Sequence, residues 1–322
     1  MDYDEFSADL SSCGALRFHL LEEVEDSMNA LGLSRIQYRQ LGKGSFRSDL
    51  AVIQTSVGIA LSQTFERHFF TPLHTADGMV TLLMGSTAGG DAFASGEIIS
   101  NEKLLVQTSE AQVDVVAPDL SRSDSLAVPE ERFYALFHTI CPGDSWIRPG
   151  EFVAAPGDLT GLQRLRRTLR DLVRHPESDP QHERQANLIS EVIAWVGDSL
   201  GRGRSDRFPV NGARARIARR ARDYMEDHYA GPIRLEDVCR ETGVGLRTMQ
   251  RAFAEYFQMS PYRYVRIMRL DRVRRDLFAG NPESHSVTAI ASLHGFNHFS
   301  RFAKDYRETF TEKPSETLAR RS

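Results

Sequence analysis

The stretch Leu235-Glu-Asp-Val-Cys-Arg-Glu-Thr-Gly243-Val-Gly-Leu-Arg-Thr-Met-Gln-Arg-Ala-Phe253 spells two short helices broken by a tight turn. Leu235 and Val238 lie three apart, on one helical face. Gly243 falls where a helix ends in a left-handed residue, a conformation glycine adopts without steric cost. Val244 then packs inward, and a second helix starts near Gly245. Met249, Phe253 and Phe257 point to its core side, while Arg247, Thr248, Gln250 and Arg251 point elsewhere. A short positioning helix, a glycine turn and a second helix with a polar, basic outer face make a helix-turn-helix.

The same plan returns at Val287-Thr-Ala-Ile-Ala-Ser-Leu-His-Gly295-Phe-Asn-His-Phe-Ser-Arg-Phe-Ala-Lys-Asp-Tyr306. Here Ala289, Ile290 and Leu293 are expected to pack, Gly295 to turn and Phe296 to plug the core. Phe302, Tyr306 and Phe310 continue inward, leaving His298, Ser300, Arg301 and Lys304 outside. Between the two units, Pro261–Ala279 reads as one helix. Pro261 suits its first turn, and Gly280-Asn281-Pro282 stops it. At 1.5 Å per residue it spans roughly 28 Å, near the ~34 Å of one DNA turn. A rigid helix of that length would hold two recognition helices against successive major grooves on one face of a duplex.

The chain of 322 residues is long enough for two domains. Its composition, 41% hydrophobic and 26% charged, is that of a globular protein. The net charge of −4 hides a split. From Val210 onward there are 21 Lys+Arg against 14 Asp+Glu, so the remaining residues hold 19 against 30. A basic C-terminal third behind an acidic N-terminal part is expected when one domain meets phosphate and the other does not. Cys13, Cys141 and Cys239 are too few and too scattered for a disulfide framework or a zinc site. The acidic start Met1-Asp2-Tyr3-Asp4-Glu5 is no secretory signal. No apolar run approaches the ~18–20 residues of a membrane span. A cytoplasmic protein without membrane contact is expected.

Residues 1–30 read as a tail and a short amphipathic helix. From Ile36 to Val128 short apolar stretches alternate with turn residues: Ile36–Tyr38, Leu50–Val57, Ile59–Phe65, Met79–Met84, Ile98-Ile99, Leu104–Val106 and Val113–Val116. Many short, closely spaced strands predict a sandwich or a barrel. Two helices follow: one carries Leu159, Leu162, Leu165, Leu169 and Leu172, the other Ala186, Ile189, Val192, Ile193 and Val196. Their stripes need a cover, either the strands or a second copy of the chain. Residues 197–212, rich in glycine and charge, are the expected linker.

Residues from about Ala213 to Arg320 resemble the DNA-binding domain of the AraC/XylS family of bacterial transcription regulators. The matching positions are Leu235, Val238, Gly243-Val244, Arg247, Met249-Gln250-Arg251 and Phe253, then Ser260-Pro261, Tyr264-Val265 and Arg269-Leu270. Ile290-Ala291, Gly295-Phe296, Arg301-Phe302-Ala303, Tyr306-Arg307, Phe310 and Pro314-Ser315 complete them. They cover about a third of the chain, and His298–Arg307 looks most like the XylS branch. Two departures stand out. Gln258 and Thr311 replace the glycine that usually follows the second helix of each unit, and Gly245 replaces the usual serine cap.

The resemblance implies an α+β protein of two domains. Residues 1–196 would form a cupin-like barrel with flanking helices for effector binding or dimerisation. Residues 213–322 would form the all-α domain, with helix-turn-helix units at about 233–255 and 286–309. Arg247, Thr248, Gln250 and Arg251 would face one major groove of promoter DNA, and His298, Ser300, Arg301 and Lys304 the next. Arginine or lysine suits guanine O6/N7, and glutamine suits adenine N6/N7. A phosphate contact or a solvated side chain is the alternative for each. Further partners implied are RNA polymerase, a small-molecule effector and a second copy bound through the N-terminal domain. No cofactor, metal or catalytic residue is expected. His68 and His74 are the one close histidine pair of the β-rich region, without the His-x-His of cupin enzymes, and Cys141-Pro142 has no basic setting. The expected function is a DNA-binding regulator, an activator as most of the family are. The alternatives are a regulator without a small ligand and a cupin-type enzyme with a DNA-binding appendage.

Overall fold

The computed structural model describes residues 16–30, 36–54, 58–99, 101, 103–140, 147–156, 163–164, 166–168, 171, 183–201, 206–207 and 212–321. Two compact units divide the chain. The first holds Met1–Gln37 and Arg47–Val210, the second Tyr38–Phe46 and Asn211–Ser322.

In the first unit one antiparallel sheet runs in the order β1 (Leu16–Phe18), β3 (Ser48–Gln54), β4 (Ile59–Phe65), β11 (Ser121–Pro129), β6 (Met79–Thr87), β9 (Lys103–Gln107), β12 (Phe152–Pro156) and β13 (Asp206–Arg207). Within this unit a second sheet joins β5 (Phe69–His74), β10 (Gln112–Ala117), β7 (Ala92–Ala94) and β8 (Glu97–Ile99). The strands thus form a β-rich unit, as expected, in two sheets that do not close into one barrel. Their central strands are buried on both sides. Leu104 and Val106 of β9 join Val80, Leu82, Leu126 and Val128 in one core, while Leu105 between them joins Val113, Phe152 and Ala154 in another. A strand covered on both faces reads as an unbroken apolar run, which is why Leu104-Leu105-Val106 lacks alternation.

Of the unit's helices, α1 (Leu21–Ala30), α2 (Glu130–Ile140) and α3 (Glu183–Gly201), the last two cover the first of these cores. Phe133 and Phe137 of α2 stack 5.8 Å apart and pack with Val192, Ile193 and Val196 of α3. Each fully buried phenylalanine contributes about 2 kcal/mol by leaving water. Helix α2 was not expected from sequence, nor were β5, β7, β11 and β12. Ile36–Tyr38, read as a strand, is not one; only Arg39–Gln40 (β2) follows it. Helix α3 continues to Gly201 and Asp206–Arg207 pairs with Val153–Ala154, so part of the stretch read as linker is regular structure. Leu159, Leu162, Leu165, Leu169 and Leu172 lie outside the described residues, as do Cys141-Pro142 and the side chains of His74, Ala186 and Ile189.

The second unit is helical: α4 (Ala213–Asp227), α5 (Leu235–Thr242), α6 (Leu246–Phe257), α7 (Pro261–Ala279), α8 (Val287–Leu293), α9 (Phe299–Phe310) and α10 (Pro314–Leu318). Helix α7 is its axis. Tyr264, Val265, Ile267, Met268, Leu270, Val273 and Leu277 are buried around it rather than along one stripe. At its N-terminal end Tyr264 meets Phe253 and Phe257 of α6, with ring centroids 5.4 and 5.3 Å apart. At the other end Leu270, Val273 and Leu277 pack with Ile290, Phe302, Tyr306, Phe310 and Leu318. Ser260 caps α7 by accepting a hydrogen bond from the Arg263 N–H, and Pro261 fills its first turn.

Candidate nucleic-acid interface

Helices α5 and α6 are the first expected helix-turn-helix, α8 and α9 the second. Gly243 closes α5 with φ 71°, its N–H bonding the Cys239 carbonyl at 2.9 Å. Gly245 caps α6 in an extended conformation, without a side-chain hydrogen bond. Leu235, Val238, Met249, Phe253 and Phe257 are buried as their spacing predicts. In the second unit Gly295 takes φ 80°, and Ile290, Phe302, Tyr306 and Phe310 are buried. Two expectations fail here. Ala289 is exposed and Leu293 is 69% exposed; the inward pair of α8 is Ile290-Ala291. The helix has only 7 residues, so Ile290-Ala291 uses its whole core-facing side and Leu293 falls beyond it.

Arg247, Thr248, Gln250 and Arg251 are all exposed on α6. Ser300, Arg301 and Lys304 are exposed on α9, and His298 is exposed at its N-cap. The eight form two groups, one on the second helix of each unit, joined through the 19 residues of α7. Their electrostatic settings differ. Arg251 Nε donates to Glu255 Oε1 at 2.7 Å, and Arg214 approaches the same carboxylate at 3.2 Å. The Arg251 hydrogen bond holds the Glu255 carboxyl below its ordinary range. Arg301 and Lys304 lie farther from their intrahelical partners Asp305 and Glu308, at 4.0 and 3.9 Å.

Sequence reasoning missed one part of this unit, the segment Tyr38–Phe46. Arg39 is buried and donates to the Tyr264 hydroxyl at 2.6 Å and to Glu226 at 3.2 Å; Asp271 lies 3.9 Å away. Tyr264 also donates to Glu226. Burial alone would raise the Glu226 carboxyl, but Arg39 and Tyr264 outweigh it and hold the carboxyl below its usual range. Burial and Glu226 push the Tyr264 phenol well above its ordinary value, so it stays neutral and donates. The Gln40 amide donates to the carbonyls of Gly42, Gly44 and Thr309, and Lys43 pairs with Glu308 at 2.6 Å. A segment of nine residues with neither helical nor strand period carries no pattern that ties it to helices some 200 residues later.

No group of three or more His, Cys, Asp and Glu side chains among the described residues could hold a metal ion. None of their helices is long and apolar enough to cross a membrane.

Residues 238–320 match the family model described as a helix-turn-helix domain. The probable thc operon regulatory protein of Rhodococcus erythropolis is 40% identical over 102 residues, 32% of this chain and 31% of that protein. The XylDLEGF operon transcriptional activator 1 of Pseudomonas putida is 29% identical over 188 residues, 56% of this chain and 55% of that protein. The C-terminal domain is of the AraC/XylS type. The chain spans 31% of the length of the first of these relatives and 55% of the second. A crystal structure of a probable AraC family regulator from Rhodopseudomonas palustris CGA009 matches at 35% identity and a TM-score of 0.30, over 32% of this chain and 95% of that one. In this AraC-type domain the two departures have visible consequences. Gln258 (φ 56°) and Thr311 (φ 59°) both occupy the left-handed conformation at the end of their helices.

Proposed function

We propose that the protein is a sequence-specific DNA-binding regulator of transcription, and an activator, that reads two successive major grooves with α6 and α9. One observation carries this reading: two helix-turn-helix units built on a single buried helix, each presenting four exposed polar side chains on its second helix. The basic charge of the C-terminal third supports it, because phosphate neutralisation supplies most non-specific DNA affinity. The name of the Pseudomonas putida relative, a transcriptional activator, supports the sign of regulation. On this reading the first unit is regulatory, through a small effector or a second copy of the chain, and RNA polymerase is the partner at the promoter. The protein acts on the chromosome, in the cytoplasm, and is not an enzyme.

Genome-wide occupancy of the tagged full chain tests this. Sharp sites sharing two short boxes about one helical turn apart are expected. Within those boxes Arg301→Ala should cost roughly 1–3 kcal/mol at one base position only. Diffuse occupancy, with no shared boxes, contradicts the reading.

A further inference from the structure

A groove of about 480 Å³ runs between α7 and α9. Tyr262, Arg266 and Arg269 line one wall, at helical spacing. His298, Arg301 and Asp305 line the other, and Pro232 and Ile233, which lead into α5, also line it. The groove therefore joins the connecting helix α7 to the second helix-turn-helix, next to the chain that enters the first, and two of its lining side chains, His298 and Arg301, belong to the proposed reading set.

Its charge is lopsided. Three arginines face a single carboxylate, Asp305, which is buried, pairs with Arg266 and lies 4.0 Å from Arg301. Arg269 is fixed by donating to the carbonyls of Tyr229 (2.7 Å) and Gly231 (2.6 Å). A guanidinium has five N–H donors, so each arginine keeps donors beyond these contacts. Tyr262 stands 61% exposed on the groove, an aromatic residue that packing does not explain.

Two helices that read successive major grooves on one face of a duplex have the minor groove and its two phosphate strands between them. A concave, cationic surface in that interval is matched in place and in sign to the backbone there. We propose that this groove seats the sugar–phosphate backbone between the two major-groove segments, with Arg266 and Tyr262 contacting phosphate. The proposal rests on the reading above and adds a contact that positions the domain without reading sequence.

The test uses the full chain and two duplexes, one enriched by the wild-type chain from a random pool and one unrelated, over a range of NaCl concentrations. Arg266→Gln is expected to weaken binding to both duplexes several-fold and to lower the salt slope by about 0.9, one phosphate contact. Tyr262→Phe removes only a hydroxyl from an exposed ring, so it cannot act by unfolding. It should weaken both duplexes alike, with the slope unchanged. If both variants bind as the wild type does, while Arg301→Ala loses discrimination between the duplexes, the groove does not meet DNA although the readers do. Weakening confined to the enriched duplex would make these residues base readers and overturn the phosphate assignment. A wild-type chain that enriches no sequence would overturn the reading of the domain and this proposal together.

Discussion

Gly243 and Gly295 hold the same place in the two helix-turn-helix units for different reasons. At Gly243 an added Cβ meets nothing within 4 Å, so only its φ of 71° resists substitution. At Gly295 the same atom would fall 2.7 Å from the Ala230 carbonyl oxygen and 3.2 Å from the Arg269 guanidinium carbon, on top of a φ of 80°. Gly243→Ala should cost about 1 kcal/mol, the left-handed penalty of an L residue. Gly295→Ala should cost at least twice that, because backbone must also move; denaturation of the full chain checks the ranking, and equal losses would refute the close approach. Thr311 and Gln258 are the inverse case. A β-branched residue is the least suited to the left-handed region, so Thr311→Gly should stabilise by about 1 kcal/mol. Gln258→Gly should gain less, since the Gln258 amide now donates to the Glu255 carbonyl at 2.6 Å. Calorimetry of the two variants would show a higher midpoint for each, and a fall for Thr311→Gly would count against the cap geometry. Such positions are legible from sequence because one backbone conformation decides them. Leu293 was misread because apolarity alone does not reveal that a helix has run out of core-facing positions.

At the scale of elements, the segment around Arg39 is the least expected. Its guanidinium is the foremost of the cations that keep Glu226 ionised under Tyr264, with Arg222 adding to it. Removing one partner of a buried pair costs roughly 3–5 kcal/mol, so Arg39→Met should destabilise the second unit by about the lower figure at neutral pH, Glu226 being partly exposed. The sign with pH follows from Glu226. In the wild type its carboxyl is held below its ordinary value, so its contribution is present above the unfolded pKa and is lost as pH falls through the lowered one. In Arg39→Met the largest cause that lowers that carboxyl is gone, so it moves back up, and protonation relieves part of the loss. The deficit of the variant should therefore shrink on going from pH 7 toward pH 4. A deficit independent of pH would show that Glu226 is not the group left uncompensated. Elements with strong period or punctuation were legible: α5 to α9 from their glycines and apolar spacing, β4 and β9 from their apolar runs. Helix α2 hid because its stripe, Phe133 and Phe137, is short and follows directly on a strand, with Pro129 alone to mark the change. β11 hid because the face that carries Leu126 and Val128 also carries Arg122 and Asp124, and its other face carries Ser121, Ser123 and Ser125.

For the whole molecule, the acidic first part and the basic last third suit a protein in which one unit alone meets a polyanion. Because α7 fixes the separation and the rotation of α6 and α9, the spacing of the two DNA boxes should be rigid. Inserting about 5 base pairs between them, half a helical turn, should abolish tight binding by the full chain. Inserting none but exchanging the bases there should leave it nearly unchanged. Equal affinity for both duplexes in a titration would mean that the two units read DNA independently.

The second unit is not contiguous in the gene. Arg39 and its partner Tyr264 are 225 residues apart in the chain. At a synthesis rate of roughly 5–20 residues per second, a ribosome makes the arginine on the order of ten seconds or more before the tyrosine leaves the tunnel. Residues 38–46 thus wait through the synthesis of Arg47–Val210, and the second unit acquires its Arg39–Glu226 ion pair only after that stretch has been made. A nascent or prematurely terminated chain cannot hold a complete one, and a C-terminal fragment beginning at Asn211 would start life without the arginine that its own interior is built around.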